Sequence, residues 1–518
     1  MRRLAVGCAA FAALCAYFWL GAEWISPLTD DAFISYRYAE NLVDGHGVVF
    51  NPGERVEGYT NFLWVLLLAL GYAAGFDLPG FSRGLSVLCA AGLVVALARF
   101  SIRYFRDEPV AGISYLAPAL LTASLVFIRH IGIGLESMLF ALLVFLAVAV
   151  HLERERASRS GFPVGLLFGL AYLTRPDAVV WLAALALSDL AWAVLQRTDL
   201  RREIRRVLEY GSVFAVIVAA HVGWRLHYYG DLVPNTYYMR AAGNWLWGLK
   251  SVTFFFVYST GFLAVLAVLA GPPLLRRRWA LCLGVLVAAY AGFVLRNGGA
   301  GGRYAIPLAP FVFLLIQELV RRPLASAQRA GITPPWRARP AALWIAVVSA
   351  MYVGGNVYEW RVAQKNAWFS NYANRNATLF GRCIREATDP DDWVASVTAG
   401  VLPYYARRPV IDMLGLNDRH IARKGKFDPQ SLPGHQRSDS DYVLDRRPRI
   451  IFMNDERSRV GSVHAIDEML ENPRLHDLYE LTPFRCGRFD LEIFVSRAQP
   501  IDADRILIPG ETTRTRGD

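Results

Sequence analysis

The sequence predicts a polytopic α-helical membrane protein with about eleven spanning helices, a further helix along the outer interface, and a C-terminal α/β domain outside the membrane. Three observations predict it. Of 518 residues 54% are hydrophobic, 13% aromatic and only 19% charged, whereas soluble domains carry about 25% charged residues. Apolar runs long enough to cross a hydrocarbon core of about 30 Å recur through the first part of the chain. Arginines cluster in short segments between those runs, as cytoplasmic loops do. The formal charge of +11 is thereby explained as an orientation signal, and a nucleic-acid partner is not expected.

In order along the chain, Met1-Arg2-Arg3 precedes an apolar stretch to about Ala22. No convincing small-x-small site precedes Glu23, so the stretch reads as a retained first helix. Further candidate spans lie near 82–101, 112–130, 138–152, 162–174, 178–195, 209–226, 251–271, 279–296, 304–320 and 341–358. The run Phe62 to Gly75 is also apolar, and counting it as a span would reverse everything after it. Laid along the outer interface, it leaves Arg99, Arg103, Arg154, Arg201, Arg202, Arg276, Arg277, Arg278, Arg321 and Arg322 on one side with Arg2 and Arg3. Every arginine-rich loop is then cytoplasmic.

The opposite face receives loop 23–61, the turns at 131–138 and 174–177, loop 227–250, turn 297–303 and all residues after about 359. The expected division is a membrane domain over 1–358 and a soluble extracytoplasmic α/β domain over 359–518. Strand-like stretches at Trp393 to Val397, Pro409 to Met413 and Arg449 to Phe452, with helices between them, support the latter. Cys8, Cys15, Cys89 and Cys282 lie in apolar runs and pack as small hydrophobes. Cys383 and Cys486 fall in an oxidising compartment, where a disulfide or two unpaired thiols are both open readings.

The chemistry-bearing stretch is Thr29-Asp30-Asp31-Ala32-Phe33-Ile34-Ser35-Tyr36-Arg37-Tyr38-Ala39, which starts a helix just outside the first span. Asp30 as a cap and Asp31 at the positive end of the helix dipole would be a purely structural use. Two carboxylates at the membrane surface also suit a general base or a divalent-cation site. Downstream, Gly45-His46-Gly47 and Asn51-Pro52-Gly53 fold the loop back tightly. His46 is a candidate ligand, though no metal-ligand spacing accompanies it.

The run from Asp30 through Glu57-Gly58-Tyr59-Thr60-Asn61-Phe62-Leu63-Trp64 resembles the first outer loop of the C-type (GT-C) glycosyltransferases, which take sugars from polyprenyl phosphates. Within them it is similar to the mycobacterial terminal β-arabinofuranosyltransferases (AftB-like) and their ZomB-like bacterial relatives. Further matches follow at Gly134-Leu135-Glu136-Ser137, Thr174-Arg175-Pro176-Asp177, Gly230-Asp231-Leu232-Val233-Pro234-Asn235-Thr236-Tyr237-Tyr238 and Asp412-Met413-Leu414-Gly415-Leu416-Asn417-Asp418. One departure concerns a Gly-Gly-Asp turn of the relatives. This chain reads Asn297-Gly298-Gly299-Ala300-Gly301-Gly302-Arg303 there, so no role for that carboxylate is carried over.

The resemblance implies a GT-C-like fold in the bacterial inner membrane, with a cytoplasmic N-terminus and the C-terminal domain outside. It implies a polyprenyl-phosphate sugar donor, arabinofuranose by preference, and an envelope glycan or glycoprotein acceptor. Asp30 and Asp31 are then the catalytic candidates, and with Glu136 they are candidate ligands for magnesium or manganese. Arg175, Arg240 and Arg303 are candidates for the donor phosphate, which guanidinium pairs bidentately; interfacial snorkelling is the plainer use of Lys250 and Arg296. Glu136, Asp177, Asn235, Tyr237 and His46 are candidates for the substrate, and Asn417, Asp418, His420 and His435 either touch acceptor or shape turns. An Arg175–Asp177 structural pair stays open. Competing classes are a secondary transporter, which should show internal repeats and acids at helix midpoints, and a noncatalytic membrane assembly factor, which leaves the acidic pair unexplained.

Overall fold

The computed structural model describes residues 2–105, 112–154, 160–239, 245–254, 277–297, 302–332, 339–429, 431, 435–453 and 464–501. The chain divides into two compact units, one of Met1–Pro27, Pro79–His221 and Gly243–Ala367, the other of Leu28–Leu78, Val222–Ala242 and Trp368–Asp518.

The first unit is helical among its described residues. Val6–Ile25, Leu78–Tyr104, Ala178–Leu195, Leu200–Tyr229 and Arg278–Arg296 are long and apolar enough to cross a membrane, and Ser137–Glu153 and Phe162–Thr174 are shorter apolar helices. The expected span at 112–130 is instead three pieces, Ile113–Tyr115, Leu116–Thr122 and Leu125–Arg129. Ser124 breaks the run, its hydroxyl accepting the Phe127 N–H at 3.4 Å and starting a new helix. The expected span at 304–320 likewise begins with two tight turns before helix Ala309–Arg329. Within that helix Gln317 and Glu318 are fully buried. Gln317 accepts the Ala117 N–H at 3.0 Å, and Glu318 pairs with Arg321 at 2.6 Å, which satisfies polar groups that would otherwise be costly there. Most of the expected span at 251–271 lies outside the described residues. Cys89 and Cys282 are buried, whereas Cys8 lies on an exposed helix face.

The last helix of this series runs unbroken from Arg339 to Ala387. The fall in hydropathy after Tyr358 does not end the helix: polar residues replace apolar ones while alanines keep helix propensity high.

The second unit begins with helix Asp30–Val43 and helix Phe62–Ala73. The latter has 12 residues, a length of about 18 Å, too short for a hydrocarbon core of about 30 Å. Its C-terminal part is built on a five-stranded mixed sheet of order β2-β1-β5-β7-β6. Here β1 is Val394–Ser396, β2 Val410–Asp412, β5 Ile450–Phe452, β6 Tyr479–Cys486 and β7 Phe489–Ser496; β3 (Lys426–Phe427) and β4 (Arg437–Ser438) form a separate pair. Strands β1, β2 and β5 are parallel and β7 is antiparallel to both its neighbours. All three parallel strands are buried along their length, so alternate residues feed two cores. Val394 and Ile450 pack with Ile384 and Leu402, and Ala395 and Ile451 with Ile421 and Val443. The three strand-like stretches of the sequence are β1, β2 and β5. Cys383 and Cys486 are joined by a disulfide that ties helix Arg339–Ala387 to the end of β6.

Candidate active site

Thr29 is extended (φ −91°, ψ 153°) and helix Asp30–Val43 starts directly after it. Asp30 and Asp31 both lie in its first turn, where the helix dipole favours carboxylates. Their side chains do different things. Asp30 accepts the Gly400 N–H at 3.1 Å and the Val401 N–H at 2.8 Å, so it satisfies donors at the start of helix Val401–Ala406. A Cβ on Gly400 would lie 1.9 Å from the Asp30 carbonyl oxygen. Asp31 is exposed.

The loop that follows is held by buried polar groups. Arg37 donates from Nε to Phe50 O at 2.7 Å, from Nη1 to Pro403 O at 2.9 Å, and from Nη2 to Arg408 O at 2.6 Å and Asn51 Oδ1 at 3.2 Å. Its guanidinium also sits 4.4 Å from the centre of the Phe50 ring. Asn51 accepts the Val410 N–H at 3.0 Å and donates to the Val410 carbonyl at 2.9 Å, pairing with β2 as a strand would. Tyr38 donates to Val56 O at 2.7 Å and accepts the Gly58 N–H at 2.8 Å. Glu57 and Arg225 form a buried pair at 2.6 Å; burial pushes the Glu57 carboxyl up, and Arg225 pulls it back.

Segment 230–239 docks on the loop after β2. Asn235 Nδ2 donates to the carbonyls of Gly415, Leu416 and Asp418 at 2.9, 3.0 and 3.1 Å, and the residue is buried. Its amide is therefore a strut between backbone segments. Tyr237, two residues on, is 64% exposed. Asp231 pairs with Arg419 at 2.6 Å and Arg423 at 2.5 Å. Asp412 accepts N–H groups from Leu414 at 3.1 Å and Asn417 at 2.8 Å, and burial pushes its carboxyl up to about 6. Asp418 caps helix Arg419–Lys424 through the Ile421 N–H. His420 pairs with Asp439 at 2.8 Å and stacks on Tyr442 at 4.0 Å. His46 is exposed in its turn between Gly45 (φ 85°) and Gly47 (φ 89°), conformations that favour glycine.

The first unit holds Glu136, Arg175, Asp177, Lys250, Arg296 and Arg303. Arg175 is buried between Glu136 (Nη1 to Oε1, 3.2 Å) and Asp177 (Nε to Oδ1, 3.0 Å), over the Tyr304 ring at 4.3 Å. Tyr290 donates to the other Asp177 oxygen. Thus Glu136, Arg175 and Asp177 are brought together, and both the structural pair and a second acid are present. Arg303 lies 5.5 Å from the Tyr304 ring, Lys250 and Arg296 are exposed, and Arg240 lies outside the described residues. Asp30, Asp31, His46, Asn235 and Tyr237 belong to the second unit.

Among the described residues no group of three or more His, Cys, Asp or Glu is placed to hold a metal ion. The donor set fits a cation poorly on its own chemistry: Asp30 meets two N–H groups and Glu136 a guanidinium. Sequence reasoning missed Arg37, Asn51, Arg225, Tyr290 and Tyr304. The one available signal was Arg37, a charge set among the apolar positions of its helix.

Residues 366–500 match a family described as a domain of unknown function (DUF8728). The chain is 30% identical over 255 residues to a terminal β-(1→2)-arabinofuranosyltransferase of Corynebacterium glutamicum, covering 45% of this chain and 35% of that protein. It thus spans about a third of the length of the curated relative it matches. Its fold is similar to ArnT from Cupriavidus metallidurans bound to undecaprenyl phosphate, with TM-score 0.57 and 14% identity over 94% of this chain and 97% of that one. It is also similar to the archaeal oligosaccharyltransferase AglB from Archaeoglobus fulgidus in complex with an inhibitory peptide and a dolichol-phosphate, with TM-score 0.56 and 12% identity over 86% and 69% of the two chains. The fold shared with these two proteins is helical and apolar in its first unit, with a mixed sheet in its second.

Proposed function

We propose that this chain is a membrane glycosyltransferase that moves arabinofuranose from a polyprenyl-phosphate donor to a hydroxyl of a cell-envelope glycan or glycoprotein. The observation that carries the reading is the match over 255 residues to a terminal arabinofuranosyltransferase. Likeness in fold to a protein crystallised with undecaprenyl phosphate supports the donor class.

In this reading the acceptor oxygen attacks the anomeric carbon, the bond from that carbon to the phosphate oxygen breaks, and the lipid phosphate leaves. Asp31 takes the acceptor proton as general base. Asp30 holds the start of the helix in place through Gly400 and Val401. Arg175, Arg240 and Arg303 are assigned to the donor phosphate. Arg175 would have to exchange a carboxylate partner to take that role. No step is routed through a divalent cation. The protein lies in the bacterial inner membrane with its N-terminus cytoplasmic and residues 359–518 outside, the orientation that leaves arginine-rich loops inside.

The test is transfer by the purified chain in lipid nanodiscs, from synthetic polyprenyl-phosphoarabinofuranose to an arabinofuranose oligosaccharide. Mass spectrometry should find one added pentose; an unextended acceptor with this donor, together with extension from another lipid-linked sugar, would overturn the assignment of arabinofuranose.

A further inference from the structure

A cavity of about 430 Å³ opens within the second unit, lined by Glu40, Asp77, Tyr404, Tyr405, Arg382, Arg385 and Arg407, among others. Its size is in the range of small-molecule sites. Glu40 lies on the same helix as Asp31, nine residues on, a rise of about 14 Å. Tyr404 and Tyr405 lie on the helix whose first N–H groups meet Asp30. The cavity is therefore built on the two helices that position the acidic pair, yet it contains neither aspartate.

The lining has an ordered geometry. Tyr404 donates to Glu40 at 2.6 Å, and its ring is set edge-on to Tyr405 at 5.1 Å. The Arg382 guanidinium lies 5.4 Å from the centre of the Tyr405 ring. Arg407 approaches Glu40 only to 4.0 Å, on a residue whose φ is 50°. Three guanidinium groups and two carboxylates around tyrosine faces offer donors, acceptors and flat amphipathic surfaces together. A phosphate would find two carboxylates in its shell, an unfavourable juxtaposition. A neutral polyol finds acceptors in those carboxylates, donors in the arginines and apolar faces in the rings.

We infer that this cavity is a carbohydrate subsite, which holds a sugar of the acceptor chain away from the reacting hydroxyl. The inference rests on the glycosyl-transfer reading for its role, and on the cavity alone for its ligand class. Calorimetric titration of the full chain in nanodiscs with a methyl arabinofuranoside tetrasaccharide, without donor, tests it. Wild type should bind, and Arg382→Ala and Glu40→Gln should each weaken binding by about tenfold. Arg382 is exposed, and the amide oxygen introduced by Glu40→Gln can still accept from Tyr404, so both variants should elute from a sizing column as wild type does. Unchanged affinity in both variants would overturn the subsite while leaving the transfer reading intact. Binding that depends on the cavity in a protein that transfers nothing would keep the subsite and overturn the transfer reading. Competition by inorganic phosphate, lost in Arg382→Ala, would overturn the carbohydrate assignment in favour of an anion.

Discussion

Asp30 and Gly400 are 370 residues apart in sequence, yet the Asp30 carboxylate accepts the Gly400 N–H at 3.1 Å and, beside it, the Val401 N–H at 2.8 Å. Two adjacent acids are thereby separated in role, one facing backbone donors and the other exposed. Asp30→Ala should destabilise the fold by roughly 1–3 kcal/mol, the cost of stranding buried N–H donors. Asp31→Asn, an isosteric change at an exposed position, should leave stability within about 0.5 kcal/mol of wild type. Thermal melts of the two purified variants check this, and equal melting temperatures would refute the division.

Arg37 holds the backbone carbonyls of Phe50, Pro403 and Arg408 through one fork of donors. Lysine keeps the charge but cannot reproduce the planar fork. Arg37→Lys should therefore cost at least about 2 kcal/mol, read as a lower denaturation midpoint and as earlier proteolysis between residues 44 and 58.

The disulfide Cys383–Cys486 closes a sequence separation of 103 residues. Chain-entropy reasoning assigns about 4.7 kcal/mol to a loop of that order. Double Cys383→Ser, Cys486→Ser should lower stability by an amount of that size, and expression without an oxidising compartment should reproduce the loss. Reductant-insensitive melting of the wild type would contradict it.

Asp412 is fully buried and pushed up to about 6 from its ordinary 3.8, by burial that outweighs the Asn417 and Leu414 N–H groups. The folded state then binds the proton more tightly than the unfolded state. This contribution is present below about pH 4 and is lost as pH rises through about 6, up to roughly 3 kcal/mol. Melting the protein at steps from pH 4 to 7 should give a downward slope that Asp412→Asn flattens; an unchanged slope in the variant would exclude Asp412 as its source.

Much of the architecture was legible locally. Apolar runs marked helices such as Phe162–Thr174 and Ala178–Leu195 at their observed bounds, and short β-rich stretches marked β1, β2 and β5. The hairpin β6–β7 was not read, because Pro483 and the charges at Glu480, Arg485 and Asp490 hide its alternation. The site was legible only in part. Their motifs single out Asp30, Asp31, Glu136 and Arg175 as candidates. That Asp30 accepts backbone N–H groups depends on Gly400 and Val401, and the commitment of Asn235 depends on three carbonyls about 180 residues away. Such pairings are set by tertiary packing and leave no periodic trace.

The proposed role of Asp31, as base in a sugar transfer from a lipid phosphate, is tested most directly by single-turnover transfer. Polyprenyl-phosphoarabinofuranose is the donor, acceptor is saturating, and wild type is compared with Asp31→Asn. A fall of about 10²-fold or more in the chemical step is expected, with the variant's melting temperature unchanged. A variant that transfers at the wild-type rate would contradict the assignment.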